Sequence, residues 1–271
     1  MVQKSRQMDI SEKHIAAWDF TTGILRWRLW AYLGVQDIRQ RYRRSSLGPL
    51  WLTLGLGVTI LGIGLLYSQI LKTPPGTFIP FIAISLLAWN FLSTVVTEST
   101  TAFQAGAGLI SSVRVPYTTF VLRCLVRNLI VAAHCILPVV IAFVYYKYPV
   151  DVVALAALPG LVLMLLNMYW LALCLAMVCL RYRDVAQIVI YAMQLALFVT
   201  PIIWQPTQLR AGTPFLAFNP IYHLIELIRA PIFEHRVPLA SYQFSAIMLV
   251  VGGAITALVF NRFRRDLAYW I

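Results

Sequence analysis

Charge is what this chain lacks. Asp, Glu, Lys and Arg make up 12% of its 271 residues, about half the quarter that soluble domains carry. Acids are the scarcer sign, ten against 22 Lys and Arg. None of these residues falls in six runs: 45–71, 73–97, 128–146, 152–180, 185–209 and 237–261. A helix needs about 20 residues to cross the hydrocarbon core, and each run is long enough. With 60% hydrophobic residues and a mean hydropathy of +0.76, a soluble globular domain is excluded. A membrane barrel is excluded too, because runs such as VALAALPGLVLMLLNMYWLALCLAMV are apolar on every face instead of alternating.

Other absences narrow the chemistry. There is no GxxxxGK[ST] phosphate loop, no HExxH and no GxSxG. The uncharged runs carry no mid-membrane acid of the kind that many proton-coupled carriers use. A transport body whose energy arrives from another subunit fits these gaps better than an enzyme does. The four cysteines, Cys124, Cys135, Cys174 and Cys179, form no CxxC pair and read as small buried hydrophobes, with no disulfide or metal expected. The first 20 residues are polar and mixed in charge, so no cleavable signal is expected.

Where charge is present, it is ordered. Lys and Arg gather in the cytoplasmic loops of membrane proteins. With the N-terminus inside, residues 1–48, 98–127, 181–184 and 261–271 hold 17 of the 22 basic residues. The other side holds Lys72, Lys147, Arg210, Arg229 and Arg236. Six crossings with both termini cytoplasmic follow. The net charge of +12 then answers to topology and the anionic leaflet, not to nucleic acid.

Four segments outside the plain crossings stand out. TTGILRWRLWAYLGVQDIRQRYRR (21–44) predicts an interfacial helix. Leu25, Leu29, Tyr32 and Leu33 recur at helical spacing, Trp27 and Trp30 serve as anchors, and the arginines face phosphates or another protein. Gly48-Pro49 marks the entry into the bilayer. ESTTAFQAGAGLISSVRVPYTTF predicts a short surface helix carrying Phe103, Leu109, Ile110 and Val113, stopped near Pro116.

The third crossing opens with Arg123 and Arg127. At about 100° per residue, Arg127 and His134 lie roughly 40° and 20° around the helix from Arg123, on one face. Arg123 is expected to snorkel to the headgroups. Arg127 and His134 suit either packing or the lining of a path. The fifth run ends in FVTPIIWQPTQLR, where Pro201 and Pro206 preclude a straight crossing to its end. The stripe Ile221, Leu224, Ile225 and Ile228, between Pro220 and Pro231, predicts a re-entrant outer helix pair. His223 and Glu226 lie off that stripe, as a structural polar pair with Arg229.

RYRRSSLGPLWLTL (41–54), VRNLIVAAH (126–134), RYRDVAQIVIYAMQLALFVTPIIW (181–204), FNPIYHLIELIRAPI (218–232) and RRDLAYWI (264–271) resemble polysaccharide-export permeases of ATP-binding-cassette transporters, above all the branch exporting lipopolysaccharide O-antigen. The resemblance implies an all-α integral membrane protein of the type-two ABC exporter fold. Its parts are six transmembrane helices per subunit, an N-terminal amphipathic interface helix, a cytoplasmic coupling helix and re-entrant outer helices. Residues 1–48 become the cytoplasmic and interfacial region, 49–260 the permease domain and 261–271 a cytoplasmic tail.

The same resemblance implies a homodimer in the bacterial inner membrane, bound to two copies of a nucleotide-binding ATPase that holds ATP and Mg. The chain itself carries no cofactor. Its substrate is a glycan on polyprenyl diphosphate. ATPase coupling maps to Phe103, Gln104, Gly106, Leu109, Ile110 and Arg114, beside an interface helix carrying Arg39, Arg41, Arg43 and Arg44. The outer gate maps to Pro201, Pro220, His223, Glu226 and Pro231, within about 205–237. Aromatic rings stack on sugar faces without holding one hydroxyl pattern, which makes Tyr67, Trp89, Phe91, Tyr169, Trp170, Tyr191 and Trp204 candidates for the path. Belt or lipid-facing placement is the alternative for each. Arg127 or the Arg39–Arg44 cluster would attract a diphosphate. A permease for capsule or teichoic-acid polymer and a membrane-embedded glycan transferase remain alternatives.

Overall fold

The computed structural model describes residues 18–43, 45–48, 50–113, 115–208 and 215–270. Pro49, Arg44, Arg114, Arg210 and most of the first 20 residues, all named above, lie outside the described residues. Among the described residues every regular element is helical.

The interfacial segment forms two pieces, α1 (18–25) and α2 (Trp27–Arg41), separated at Arg26. Helix α3 (Leu50–Ile70) rises from it, and α4 (Pro75–Ser99) returns. Two short helices follow, α5 (Ala102–Ala105) and α6 (Ala107–Ser112). The next crossing is broken into α7 (Thr118–His134) and α8 (Ile136–Tyr145). Helix α9 (Ala157–Arg181) returns, and α10 (Asp184–Val199) climbs only part-way. Then come α11 (Pro220–Phe233), α12 (Leu239–Phe263) and α13 (Leu267–Trp270). Five spans among the described residues are long and apolar enough to cross a membrane. The sixth expected crossing is α10, with 16 residues, or about 24 Å against a core of about 30 Å. It stops where Thr200 turns extended ahead of Pro201.

Both described ends of the chain meet at one end of the bundle, termed proximal; the opposite end is distal. The buried Asp19 carboxylate accepts from the Tyr117 and Thr118 amides at 3.1 Å each, capping the start of α7 from a distant part of the chain. Arg264, at the end of α12, donates to the same carboxylate at 3.1 Å. A Cβ on Gly23 would lie 1.9 Å from the Thr118 hydroxyl, so α1 approaches this junction only without one. Leu267 is buried beyond it, and Arg181 of α9 sits 4.8 Å over the Trp270 ring. The C-terminal tail is thereby docked on the bundle.

Helix α4 is the buried axis; most of α3 and α12 faces outward. Prolines shape what surrounds it. A proline inside a helix strips the bond to the carbonyl four residues back. Pro138 does this to His134, where the crossing breaks, and Thr53 of α3 donates to that carbonyl at 3.2 Å. Pro231 does it to Leu227. There Gly160 brings α9 against the buried carbonyl left without its helical donor; a Cβ on Gly160 would stand 2.4 Å from the Leu227 oxygen.

The distal ends of α3 and α8 close alike. Thr73 N bonds Ser68 O and Tyr148 N bonds Phe143 O, both at 2.9 Å. The intervening Lys72 and Lys147 stand at φ 52° and 51°. Glycine is the usual occupant of that left-handed position, and an L side chain there costs about 1–2 kcal/mol.

Candidate functional site

Three constellations carry the polar chemistry. The first ties the interface helix to the bundle. Asp37 on α2 receives Arg123 Nε at 2.7 Å and Arg127 at 3.0 Å. Arg127 also reaches Glu98 on α4 at 2.6 Å, and Glu98 receives Arg41 at 3.0 Å and the Asn128 amide at 2.7 Å. Gly34 lets α2 approach α7 closely; a Cβ there would lie 3.2 Å from the Arg123 carbonyl oxygen. Leu25, Trp27 and Tyr32 stay exposed. Helix α2 thus presents Gly34 and Asp37 to the bundle and Trp27 and Tyr32 to the surroundings, while Leu29, Trp30 and Leu33 of the predicted stripe are half-buried. Arg123 does not snorkel as expected, because Asp37 on a neighbouring helix takes its guanidinium. Arg127 is sandwiched between two carboxylates. His134, one turn beyond the cluster's reach, is exposed and contacts its own helix at Ile130 O.

The second lies at the distal end. Arg229 and Glu226, 0% and 1% exposed, form a buried ion pair. Arg229 Nη1 donates to the Pro201 carbonyl at 2.5 Å and to Ser85 Oγ of α4 at 3.3 Å, and the guanidinium lies 4.9 Å over the Phe81 ring. Arg236 completes the set at 2.9 Å from Glu226. Burial opposes the Arg236 charge, but Glu234 and Glu226 outweigh it and hold its pKa above the ordinary value. Asn219 caps α11 by accepting from Ile221 and Tyr222, with Pro220 in the first turn. His223 does not pair with Glu226 as expected, because its ring is taken by other groups: it bonds Ser241 and the Ala217 carbonyl at 3.0 Å each and stacks on Phe244, and Arg229 and Arg236 take Glu226 instead. Glu226, Arg229, Arg236, Asn219 and His223 are thus all bound to protein. Among the described residues no group of three His, Cys, Asp or Glu could hold a metal.

The third is a cleft of ≈ 480 Å³ between α3, α4, α7 and the end of α10. Trp51, Thr59, Trp89, Asn90, Thr94 and Asn128 give it a mixed polar and aromatic wall. Asn128 joins it to the first constellation through Glu98.

The candidate aromatics do not converge. Trp89 and Phe91 line the cleft. Tyr67 packs half-buried against the core, and Tyr169 lies on α9 with its hydroxyl buried beside Thr118. Trp170 bonds Asn167 at 3.0 Å and packs on Gly252 of α12. Trp204 bonds the Phe198 carbonyl at 3.0 Å. Tyr191 is 61% exposed on α10. Of the coupling candidates, Phe103 is buried, edge-on to Tyr117, and Gly106 stands at the break between α5 and α6, where Phe120 fills the space a side chain would need. Leu109 and Ile110 are half-buried, whereas Gln104, Ser111 and Val113 are exposed. Arg39 and Arg43 are exposed as well.

Residues 28–233 match the ABC-2 type transporter family. The chain belongs to it. It is also 28% identical over 235 residues to the O-antigen export system permease protein RfbA of Myxococcus xanthus, covering 84% of this chain and 89% of that one. The protein of the same description from Klebsiella pneumoniae is 20% identical over 237 residues, with the same coverage. As an ABC-2 family member the chain is a multi-pass membrane subunit of a transporter and not itself an enzyme.

Sequence reasoning missed the two carboxylates that organise the first constellation, Asp37 and Glu98. It also missed the neutral polar residues. Gln187 and Gln194 lie seven residues apart on the exposed face of α10, with Tyr191 between them. Their spacing inside an uncharged run was the available signal, and a search by charge passes over it.

Proposed function

We propose that this chain is the transmembrane subunit of an ATP-driven exporter that carries a polyprenyl-diphosphate-linked polysaccharide of O-antigen type from cytoplasm to periplasm. The observation that carries this reading is the likeness to two O-antigen export permeases over 84% of the chain. The proximal end is cytoplasmic, in the bacterial inner membrane. Two chains pair, and two copies of a separate ATPase holding ATP and Mg²⁺ dock beneath α2, α5 and α6.

Physical features support each part. Every residue of α10 is exposed or half-buried within one subunit, and a glutamine amide facing lipid lacks the partners that water or protein would give it. A second subunit or a hydrated path supplies them. The cleft offers amides and hydroxyls for sugar edges and the Trp89 ring for sugar faces. With Arg127 neutralised by Asp37 and Glu98, the exposed Arg39 and Arg43 are left to attract the diphosphate. The buried Glu226–Arg229 pair fixes α11 to α4 and to the turn after α10, as an outer gate requires.

Depletion of the protein, followed by mass spectrometry of polyprenyl-diphosphate intermediates and surface staining, tests the proposal. Finished lipid-linked O-antigen accumulates inside while surface glycan disappears. Accumulation of a capsule or teichoic-acid intermediate would reassign the polymer. Loss of both intermediate and surface polymer would identify a transferase and sink the export reading.

A further inference from the structure

A second, apolar cavity lies behind the polar cleft. It measures ≈ 830 Å³ and lies between α4, α7–α8, α9 and α11. Its wall is built from residues such as Leu87, Phe91, Ala133, Val140, Leu161 and Ile232. Only two lining side chains carry a polar group beyond the backbone, Lys147 and Tyr148, and both lie at the distal mouth. The Tyr148 hydroxyl is engaged, donating to the Phe233 carbonyl at 2.8 Å. Lys147 is exposed and makes no ion pair among the described residues. From Val144 to Leu129 the wall follows about 22 Å of helix at 1.5 Å per residue, reaching from the distal interface beyond the middle of a core about 30 Å thick.

We propose that this cavity holds one acyl chain of an anionic phospholipid from the distal leaflet, with the lipid phosphate on Lys147. Close packing leaves few voids larger than a water molecule in proteins, and apolar cavities do not hold water stably. In a bilayer the neighbouring chains supply the filling, and the flanks of this cavity at Val140, Val144 and Leu158 are exposed. Charge decides the headgroup, because among the described residues the free polar group lining the mouth is a cation. Lys147 occupies a left-handed position where glycine is the usual residue, so a cation stands at the mouth in spite of the local backbone preference. The inference does not depend on which polymer is exported. It does bear on the path: Leu87, Phe91 and Ala132 line both this cavity and the polar cleft, so the acyl chain backs the cleft wall.

The test is native mass spectrometry of the purified full chain, delipidated and then titrated with phosphatidylglycerol or phosphatidylcholine. The unmodified chain retains one phosphatidylglycerol in preference to phosphatidylcholine. Leu161→Trp and Ala133→Phe, which fill the cavity, lower retention roughly tenfold or more, the effect of denying the chain about two buried methylenes. Lys147→Gln still binds lipid but loses the preference for the anionic headgroup. Unchanged retention in cavity-filling variants that melt like the parent overturns the proposal. Should those variants misfold, phosphatidylglycerol with brominated chains is located in the unmodified protein. Bromine density between α8 and α9 supports the assignment, and density only elsewhere overturns it.

Discussion

The Thr53 hydroxyl of α3 donates to the His134 carbonyl at 3.2 Å, and that carbonyl is the one Pro138 leaves without its helical partner. The bend in the third crossing is therefore a contact between two helices as much as a local break. Such a bond inside a membrane contributes about 0.5–1.5 kcal/mol.

Thr53→Val is accordingly expected to lower the melting temperature of the purified protein, whereas Thr53→Ser leaves it near the parent value. Pro138→Ala returns the amide to His134 O, so Thr53→Val costs little in that background. A double-mutant cycle on the four proteins measures the coupling. Equal costs of Thr53→Val with and without Pro138 would show that the hydroxyl does not answer the orphan carbonyl.

At the distal end the charges are deeper. Removing one member of a buried, hydrogen-bonded ion pair strands the other and costs about 3–5 kcal/mol. Arg229→Met alone is expected to abolish stable membrane accumulation, since it leaves Glu226 with only the half-exposed Arg236. Glu226→Gln is milder, because the amide oxygen still accepts from Arg229. The pair replacement Glu226→Leu with Arg229→Met recovers accumulation but loosens the hold on Pro201 and Ser85. Its signature is a protein that melts near the parent yet has faster amide exchange in α11. Parental exchange in the pair variant would mean that apolar packing alone seats the helix.

Much of this was legible beforehand and some was not, for a physical reason. Long uncharged runs declare themselves because a bilayer admits few other sequences, so five spans and the proline-stopped α10 could be read from composition. The polar segment at 219–236 could be read for the same reason, as its prolines and off-stripe His223 and Glu226 broke an apolar pattern. Pairing across helices was another matter. Asp37 looked like one acid on an amphipathic helix, and nothing in its spacing pointed to Arg123 some eighty residues later. Asp19 was equally silent, though it caps α7 and holds Arg264. Local periodicity shows which face is apolar. It does not show which partner a lone charge on the other face will meet, and that partner turned Arg123 from a snorkelling side chain into a tether.

That tether yields the last prediction. Asp37 joins α2 to α7 through two arginines, while Glu98 joins α4 to both Arg41 and Arg127. Arg41 is half-exposed, so its pair with Glu98 contributes little after solvent screening. The Asp37 pairs are mostly shielded and carry the connection. Asp37→Asn keeps the shape and one acceptor but removes the charge, leaving Arg123 without a carboxylate and Arg127 with Glu98 alone. In the proposed complex, movement of α2 against an ATPase then reaches α4 and α7 less faithfully. The expected result is ATP hydrolysis near the parental rate with surface glycan reduced severalfold, measured on the same membranes. Arg39→Gln, on the exposed side of α2 away from this cluster, should spare the link between hydrolysis and export and alter only substrate capture. Equal loss of hydrolysis and export in Asp37→Asn would instead make the cluster a structural clamp that assembles the complex without transmitting its motion.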